Sequence, residues 1–279
     1  MHALSNLYKR VVFFLSAAII LREYFSPHVG REYTIGLPQK IVLLTRMLRN
    51  QMRIPTASGF PEHLLMAIDL FTIPRALKGA IVECGAWKGG STANLSLVAS
   101  LVKRRLEVFD SFHGLPEPKS FDREHPILST KEIHTYAEGS WKGTFAEVKH
   151  NVSRYGNIEA CNLHKGYFQD TLPHFHQRVV LVFTDADLIE STKTCITYLW
   201  PLLEDGCPFY IHEAQHLNIV ELFFDKEWWK ATFHTNPPGL IGAGNGIGLY
   251  PHPRGFKSAL GYTIKNPSLS TFREIPQDA

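Results

Sequence analysis

Short apolar runs alternate with amphipathic stretches along the chain from residue 80 onward. The runs are too short for helices and are typical of strands buried on both faces of a sheet. They predict strands at Ala80–Val82, Leu106–Asp110, Ala160–His164, Val179–Asp185 and Cys207–Ile211. The stretches between them carry apolar residues at helical spacing and predict helices at Ser91–Leu101, Phe145–Tyr155 and Glu190–Leu203. This alternation predicts an α/β fold built on a doubly wound, mostly parallel sheet.

The N-terminal part of the chain carries helical patterns only. Residues 39–53 and 62–70 space their apolar positions as amphipathic helices do, and no strand pattern precedes residue 80. We therefore expect two regions, a helical extension or cap at residues 1–74 and an α/β domain at residues 75–279. A helical cap of this kind often lies over a ligand crevice.

An apolar run, Val11–Leu21, lies near the start of the chain, between Lys9-Arg10 and Arg22-Glu23. At about eleven residues it is too short to span a bilayer, which needs roughly twenty. No small-residue cleavage site follows it, as a signal peptide would require. We expect a helix that packs on the body of the protein or on a second subunit. The alternative is a helix that lies in a membrane interface.

A glycine-dense stretch occupies residues 237–248. No Lys-Ser/Thr pair closes it, as in a phosphate-binding loop, and no helical pattern follows. We therefore expect a glycine-rich turn that leads into antiparallel strands at Ile247–Tyr250 and Ala259–Ile264.

The composition is that of an ordinary globular protein. Apolar residues make up 44% of the 279 residues and charged residues 20%, and the net charge of +3 is too small to indicate a nucleic-acid partner. The four cysteines form no C-x-x-C pair, which favours reduced, buried thiols in a cytoplasmic protein. The 14 histidines raise the question of a metal.

The segment Ile81–Thr92 predicts a strand, a tight turn and the start of a helix. This is the usual construction of a nucleotide-binding crevice. Its glycines allow backbone N–H groups to approach a ligand, but their spacing is not that of a dinucleotide site. Glu83, at the end of the strand, would repel a pyrophosphate. It suits hydroxyl groups or a cationic ligand instead.

Acidic residues stand at or just past four of the five predicted strand ends. Helix capping would explain one or two of them but not all. Ligands of open α/β sheets bind at the carboxyl ends of the strands, so the pattern predicts a site there. The groups concerned are Glu83, Asp110, Asp185 with Asp187, and His212 with Glu213.

Four ordered motifs resemble the macrocin-type O-methyltransferase family, class I S-adenosylmethionine enzymes that methylate sugar hydroxyls. They are Ile81–Ser91, Phe109–Pro116, Gly166–Pro173 and Asp185–Thr192. The resemblance implies a Rossmann-like sheet, S-adenosylmethionine as cofactor, and Asp185 as a metal ligand and general base. The cofactor-binding residues it implies are Glu83, Gly85, Ala86, Trp87, Gly90, Ser91, Asp110, Ser111 and Asp170.

One position departs from the family pattern. Members commonly end the fifth strand in two aspartates that complete a magnesium site, whereas this chain has His212-Glu213. Imidazole suits zinc or iron better than magnesium. The metal ligands are therefore expected among Asp185, His212 and Glu213, with Mg, Mn, Fe and Zn all open. The alternative is a metal-free site in which Asp185 or His212 is the base.

The stretch from His212 to His216 also matches H-E-x-x-H, the zinc-peptidase pattern. A zinc-dependent hydrolase is therefore an alternative function, although that motif requires a helix and His212 directly follows a strand pattern. A non-catalytic cofactor-binding protein is a further alternative.

The resemblance implies O-methyl transfer to a hydroxyl of a small molecule, with a sugar of a natural product as the expected acceptor. The expected assembly is a homodimer or a higher homo-oligomer. No nucleic-acid partner is expected.

Overall fold

The computed structural model describes residues 18–128, 132–248, 250–252 and 255–273. These residues form ten strands: β1 (Ala80–Cys84), β2 (Leu106–Asp110), β3 (Glu124–Pro126), β4 (Ile133–Thr135), β5 (Cys161–Lys165), β6 (Val179–Thr184), β7 (Pro208–Ile211), β8 (Tyr250–His252), β9 (Gly255–Lys257) and β10 (Gly261–Ile264). The helices are Leu37–Gln51, Phe60–Thr72, Gly90–Val102, Phe145–Tyr155, Phe168–Thr171, Ile189–Leu199, Leu217–Leu222 and Lys226–Phe233. Residues 18–24 are also helical.

A six-stranded sheet in the order β10-β7-β6-β1-β2-β5 forms the centre of the molecule. All neighbours in it are parallel except β10, which runs antiparallel to β7. Two separate hairpins, β3-β4 and β8-β9, lie outside it. The predicted α/β fold, with a mostly parallel sheet and an antiparallel C-terminal part, is confirmed.

The C-terminal strands are offset from their predicted positions. Residues 242–248 form turns in which Gly242, Gly244, Gly246 and Gly248 all have positive φ, so the predicted strand at Ile247–Tyr250 begins only at Tyr250. That strand pairs with β9 in a hairpin. The predicted strand at Ala259–Ile264 begins at Gly261 and completes the main sheet.

Apolar side chains on both faces of the central strands form the core. Every residue of β1 and β6 is buried, as expected for strands covered by helices on both sides. One member of β1 is a carboxylate, Glu83, which is fully buried. The four cysteines are free and buried.

The N-terminal helices pack against the helix Gly90–Val102, which follows the glycine turn. A buried polar network joins them: Asn50 Nδ2 donates to Asn94 Oδ1 at 2.9 Å, and Asn94 Nδ2 lies 2.8 Å from His63 Nδ1. The helix Phe60–Thr72 has ten buried residues, among them Glu62 in its first turn. This packing brings a carboxylate from the helical region to the site described below.

The region boundary at residue 74 stays a prediction. The apolar run Val11–Leu21 lies mostly outside the described residues. Within the described ranges, no helix is both long enough and apolar enough to cross a bilayer.

Candidate active site

A cavity opens at the carboxyl ends of β1, β2, β6 and β7. Residues of those strand ends line it together with aromatic and histidine side chains from the connection that contains β3 and β4. Polar groups that converge on one concave site at this edge are the usual arrangement of a ligand site in an open α/β sheet. The principal lining residues are Gly85, Trp87, Asp110, Ser111, His134, Tyr136, Trp141, Tyr167, Phe168, Gln169, Asp185, Asp187, His212, Glu213 and His216.

The turn after β1 uses backbone conformations that glycine favours. Gly85 has φ 94° and Gly89 has φ 82°, and Trp87 adopts φ 45° between them. A Cβ added to Gly85 would lie 2.0 Å from the carbonyl oxygen of Asp185, so only glycine fits there. The turn therefore brings the ends of β1 and β6 into direct backbone contact.

Glu83 lies buried beneath this turn. Among the described residues, neither of its carboxylate oxygens has a hydrogen-bond partner. Burial raises the pKa of Glu83 to about 8, although the nearby hydroxyls of Ser91 and Thr92 lower it in part. An unpaired buried carboxyl group is costly unless another group satisfies it. A cationic ligand at the turn would do so.

Asp110, at the end of β2, holds the turn from the other side. Its Oδ2 accepts from the backbone N–H groups of Ala86 at 2.7 Å and Trp87 at 3.3 Å, and its Oδ1 accepts from Phe112 N at 2.6 Å. Burial raises its pKa, and these three hydrogen bonds oppose that rise. A carboxylate has about four lone-pair sites, so a ligand hydroxyl can still bind Asp110.

Aromatic residues form one wall of the cavity. Trp141 packs edge-on against Trp87, with ring centroids 5.3 Å apart and the planes at 87°. Tyr167 and Phe168, at the start of the short helix after β5, also line the cavity. Such surfaces suit a planar base or a sugar ring. The sequence motifs contain Tyr167 and Phe168, but no pattern distinguishes Trp141, which lies in a long connection.

Three carboxylates form a cluster beside this wall. One oxygen from each of Asp185, Asp187 and Glu213 can be chosen so that all three lie within 4.8 Å of one another. Burial raises the pKa of Asp187 and also that of Glu213, to about 7, and the charge on Asp185 adds to both shifts. Burying like charges together is unfavourable without a cation. Oxygen ligands of this kind suit magnesium or manganese.

This cluster differs from the ligand set expected from the sequence. It contains Asp185 and Glu213, as predicted, but its third member is Asp187 and not His212. Asp187 adopts φ 59°, and its backbone N–H donates to Glu213 Oε1 at 2.9 Å. That contact links the ends of β6 and β7.

His212 instead lies between two carboxylates. Its Nδ1 is 3.3 Å from Asp185 Oδ1, and its Nε2 is 3.5 Å from Glu62 Oε2. Burial lowers the pKa of His212, but the two carboxylates outweigh burial and raise it well above its usual value. A protonated imidazole has no lone pair with which to bind a metal or accept a proton.

Glu62 is held in place for this contact. Its Oε2 accepts from Gly59 N at 2.8 Å, and its Oε1 accepts from the Ser258 hydroxyl. Burial alone would raise the pKa of Glu62, but His212 and these hydrogen bonds lower it. Glu62 is a site residue that the sequence did not indicate, because it lies in the helical region before the first strand.

The predicted cofactor residues fall into two groups. Gly85, Trp87, Asp110 and Ser111 line the cavity. Glu83, Gly90 and Ser91 lie buried behind the turn, and Ala86 N is bound to Asp110. Asp170 is exposed on the short helix Phe168–Thr171 and is not among the lining residues.

The H-E-x-x-H stretch does not form a helix. His212 leaves β7, and the next helix begins only at Leu217. The two histidines therefore do not lie one helical turn apart as in a zinc peptidase. This geometry does not favour the hydrolase alternative.

Comparison with known proteins identifies the family to which this chain is similar. A family model described as macrocin-O-methyltransferase matches residues 63–226, more than half of the chain. A curated relative from Streptomyces olivaceus, 8-demethyl-8-(2,3-dimethoxy-alpha-L-rhamnosyl)-tetracenomycin-C 4'-O-methyltransferase, is 32% identical over 133 residues, 46% of this chain and 50% of that protein. The chain thus spans about half the length of that relative.

A solved structure, that of the O-methyltransferase NovP, has a TM-score of 0.56 to this chain at 20% identity. The aligned region covers 79% of this chain and 88% of the NovP chain. At this level of identity the similarity supports the fold alone.

Proposed function

We propose that this chain, which belongs to the macrocin-O-methyltransferase family, transfers a methyl group from S-adenosylmethionine to a hydroxyl of a small molecule. One observation carries the proposal. The turn beneath which Glu83 lies and the carboxylate of Asp185 meet at a single cavity, because Gly85 contacts the Asp185 backbone. A nucleotide held at the turn would therefore stand next to a group that can accept a proton.

The turn after β1 and the end of β2 suit this cofactor. In our proposal the carboxyl of Glu83 meets a cationic group of the cofactor, and Asp110 accepts from its ribose hydroxyls. Trp87 and Trp141 offer aromatic surface for the adenine. S-adenosylmethionine, when bound, supplies the electrophilic methyl group on a sulfonium.

Asp185, Asp187 and Glu213 fit a divalent cation, and we propose that they hold magnesium or manganese. A cation bound there lowers the pKa of a coordinated hydroxyl. His212 does not belong to this ligand set in our proposal, because both of its ring nitrogens face carboxylates.

We propose that Asp185 is the base. Its Oδ1 faces His212. Oδ2 has two lone-pair sites, so in our proposal it contacts the cation with one and accepts the proton of the acceptor hydroxyl with the other. His212, which Glu62 holds in position, orients the Asp185 side chain and supplies a positive charge beside it. The rest of the catalytic effect is positioning, which the walls of the cavity provide.

The acceptor is proposed to be a sugar of a natural product. The Streptomyces olivaceus relative is a 4'-O-methyltransferase of a rhamnosyl-tetracenomycin. The histidine, tyrosine and acidic side chains of the cavity can bind several hydroxyls of such a ring.

The test is methyl transfer from labelled S-adenosylmethionine to a panel of rhamnosides and other glycosides, followed by mass spectrometry of the products. We expect a gain of one methyl group on an acceptor hydroxyl. Binding of S-adenosylhomocysteine, measured by calorimetry, is the second readout. Binding without turnover on any member of the panel would favour the non-catalytic alternative, and no binding would exclude the proposal.

We also propose that the protein is a homo-oligomer. The helix Leu37–Gln51 exposes several large apolar side chains, including Leu37, Ile41 and Val42, on its outer face. Exposed apolar surface of this kind is typical of an interface between subunits. Ile41→Ser with Val42→Ser should reduce the mass measured by light scattering, whereas Leu269→Ser, equally exposed elsewhere, should not.

A further inference from the structure

A buried chain of three polar side chains, Asp122, His125 and His216, reaches the cavity beside the carboxylate cluster. His125 Nε2 lies 2.9 Å from Asp122 Oδ1, and His125 Nδ1 lies 3.4 Å from His216 Nδ1. Asp122 and His125 come from the connection after β2, and His216 from the loop after β7. All three side chains are almost wholly buried, yet His216 lines the cavity.

Asp122 determines which ring nitrogen of His125 carries the proton. The carboxylate also accepts from Ile189 N at 2.7 Å and Glu190 N at 3.3 Å, at the start of the helix Ile189–Leu199. A carboxylate only accepts, so His125 must donate to it from Nε2. A neutral ring that donates from Nε2 has its lone pair on Nδ1.

The state of His216 follows from that of His125. A lone pair on His125 Nδ1 accepts a hydrogen bond only if His216 Nδ1 carries the proton. The lone pair of His216 is then on Nε2. The His216 ring is buried beside the imidazole rings of His125 and His134, which favours its neutral form. Glu213 is the acidic residue nearest to His216 in the sequence. Its backbone carbonyl, and not its carboxylate, accepts the hydrogen bond from the His216 backbone N–H.

We propose that Asp122 and His125 hold His216 in the Nδ1–H form, so that its Nε2 accepts a hydrogen bond from a second hydroxyl of the acceptor molecule. His216 is the binding group, and Asp122 and His125 are positioning residues. The identity of the ligand as a hydroxylated acceptor rests on the proposed function. The positions of the protons on the His125 and His216 rings do not depend on the proposed function.

This subsite distinguishes between acceptors. A free hydroxyl donates to Nε2, whereas a deoxy position or a methoxy group in its place cannot. Sites built to bind a hydroxyl reject analogues that lack it, because the buried polar group then stays unpaired. The cavity would therefore favour acceptors with at least two free hydroxyls.

The first test needs no substrate. Long-range ¹H–¹⁵N spectra of histidine side chains distinguish the two neutral forms, and the His216 signals are identified by their loss in His216→Asn. We expect an Nδ1–H ring for His216 and an Nε2–H ring for His125. An Nε2–H ring for His216 would overturn the proposal, whether or not methyl transfer is found.

The second test compares two substitutions at one position. Glutamine places its amide near the Nε2 position and asparagine near the Nδ1 position. With an acceptor that shows turnover, we expect His216→Asn to raise KM roughly 3- to 10-fold at similar kcat, while His216→Gln retains most of the affinity. Binding of S-adenosylhomocysteine and the melting temperature report on folding and on the cofactor site.

A deoxy analogue of that acceptor completes the test. For one such analogue, the KM of the wild type should rise by the same factor as the His216→Asn substitution produces with the full acceptor. The KM of His216→Asn should not rise further with this analogue. Equal KM values for both His216 variants and the wild type would overturn the binding role, even if methyl transfer is established.

Discussion

Gly85 and Asp185 are in backbone contact: a Cβ on Gly85 would lie 2.0 Å from the carbonyl oxygen of Asp185. The two residues directly follow the neighbouring parallel strands β1 and β6, whose last residues, Cys84 and Thr184, are paired in the register. Asp185 N donates to Cys84 O at 2.8 Å, which extends the ladder past the strand ends. The turn after β1 and Asp185, the proposed base, are thereby held at a fixed separation.

Gly85→Ala should disrupt this contact. The alanine would combine a positive φ with a direct overlap, at a cost of about 3 kcal/mol or more in the free energy of unfolding. Gly139→Ala is the matched control, because Gly139 has φ 74° but open space around its Cβ position. We expect it to cost only about 1 kcal/mol in urea unfolding. Similar losses for both variants would contradict the role given to the contact.

Asp185→Asn should remove the proposed base. We expect kcat to fall roughly 10²- to 10⁴-fold, the usual contribution of general acid–base catalysis. Calorimetric binding of S-adenosylhomocysteine should change little. Glu159→Gln serves as the control, since Glu159 is exposed and is not among the residues that line the cavity. Full activity in Asp185→Asn would exclude Asp185 as base.

Glu83 should make stability depend on pH. The pKa of Glu83 is about 8 in the folded protein, against an ordinary value of 4.5. Between pH 4.5 and pH 8 the carboxyl group is therefore protonated in the folded protein and ionised in the unfolded chain. Stability therefore falls as pH rises through this range, by about 4 kcal/mol at pH 8. Glu83→Gln has no such penalty.

The melting temperatures of the wild type and Glu83→Gln, measured from about pH 5 to pH 8, check this sign. The melting temperature of Glu83→Gln should exceed that of the wild type by an amount that grows with pH. A constant difference across the range would show that Glu83 does not titrate as proposed. S-adenosylhomocysteine should bind Glu83→Gln more weakly, because the carboxylate is proposed to meet a cationic group.

Magnesium or manganese should stabilise the protein through Asp185, Asp187 and Glu213. A ligand at a hundred times its Kd adds about 2.7 kcal/mol to the free energy of unfolding. The effect should weaken toward pH 6, because the raised pKa of Glu213, about 7, leaves that group protonated there. Thermal unfolding with each metal, followed by addition of a chelator, measures this gain.

Asp187→Asn should lose most of the metal-dependent gain, whereas His212→Gln should keep it if His212 is not a ligand. The opposite result would restore His212 to the ligand set that the sequence predicts. Glu190→Gln is a suitable control, since its carboxylate pairs with Lys119 on the surface.

Periodicity in the sequence predicts the sheet and most of its helices, because apolar spacing reflects which faces each element buries. The five parallel strands and their helices lie close to their predicted bounds. The acids at the strand ends also meet at one edge, as parallel topology requires. The glycine-rich stretch before Tyr250 shows the limit of such local patterns, since its turns extend further than the pattern indicates.

The sequence by itself therefore determined the fold class and the edge of the sheet at which the site lies. Only the tertiary structure brought Glu62 of the N-terminal helices to His212, added Asp187 to the carboxylate cluster, and joined His125 to His216 across 91 residues of sequence. The physical reason is that local spacing records burial along one element. Contacts between distant segments depend on how the elements pack, and at this site that packing decides which group carries a proton and which can bind a metal.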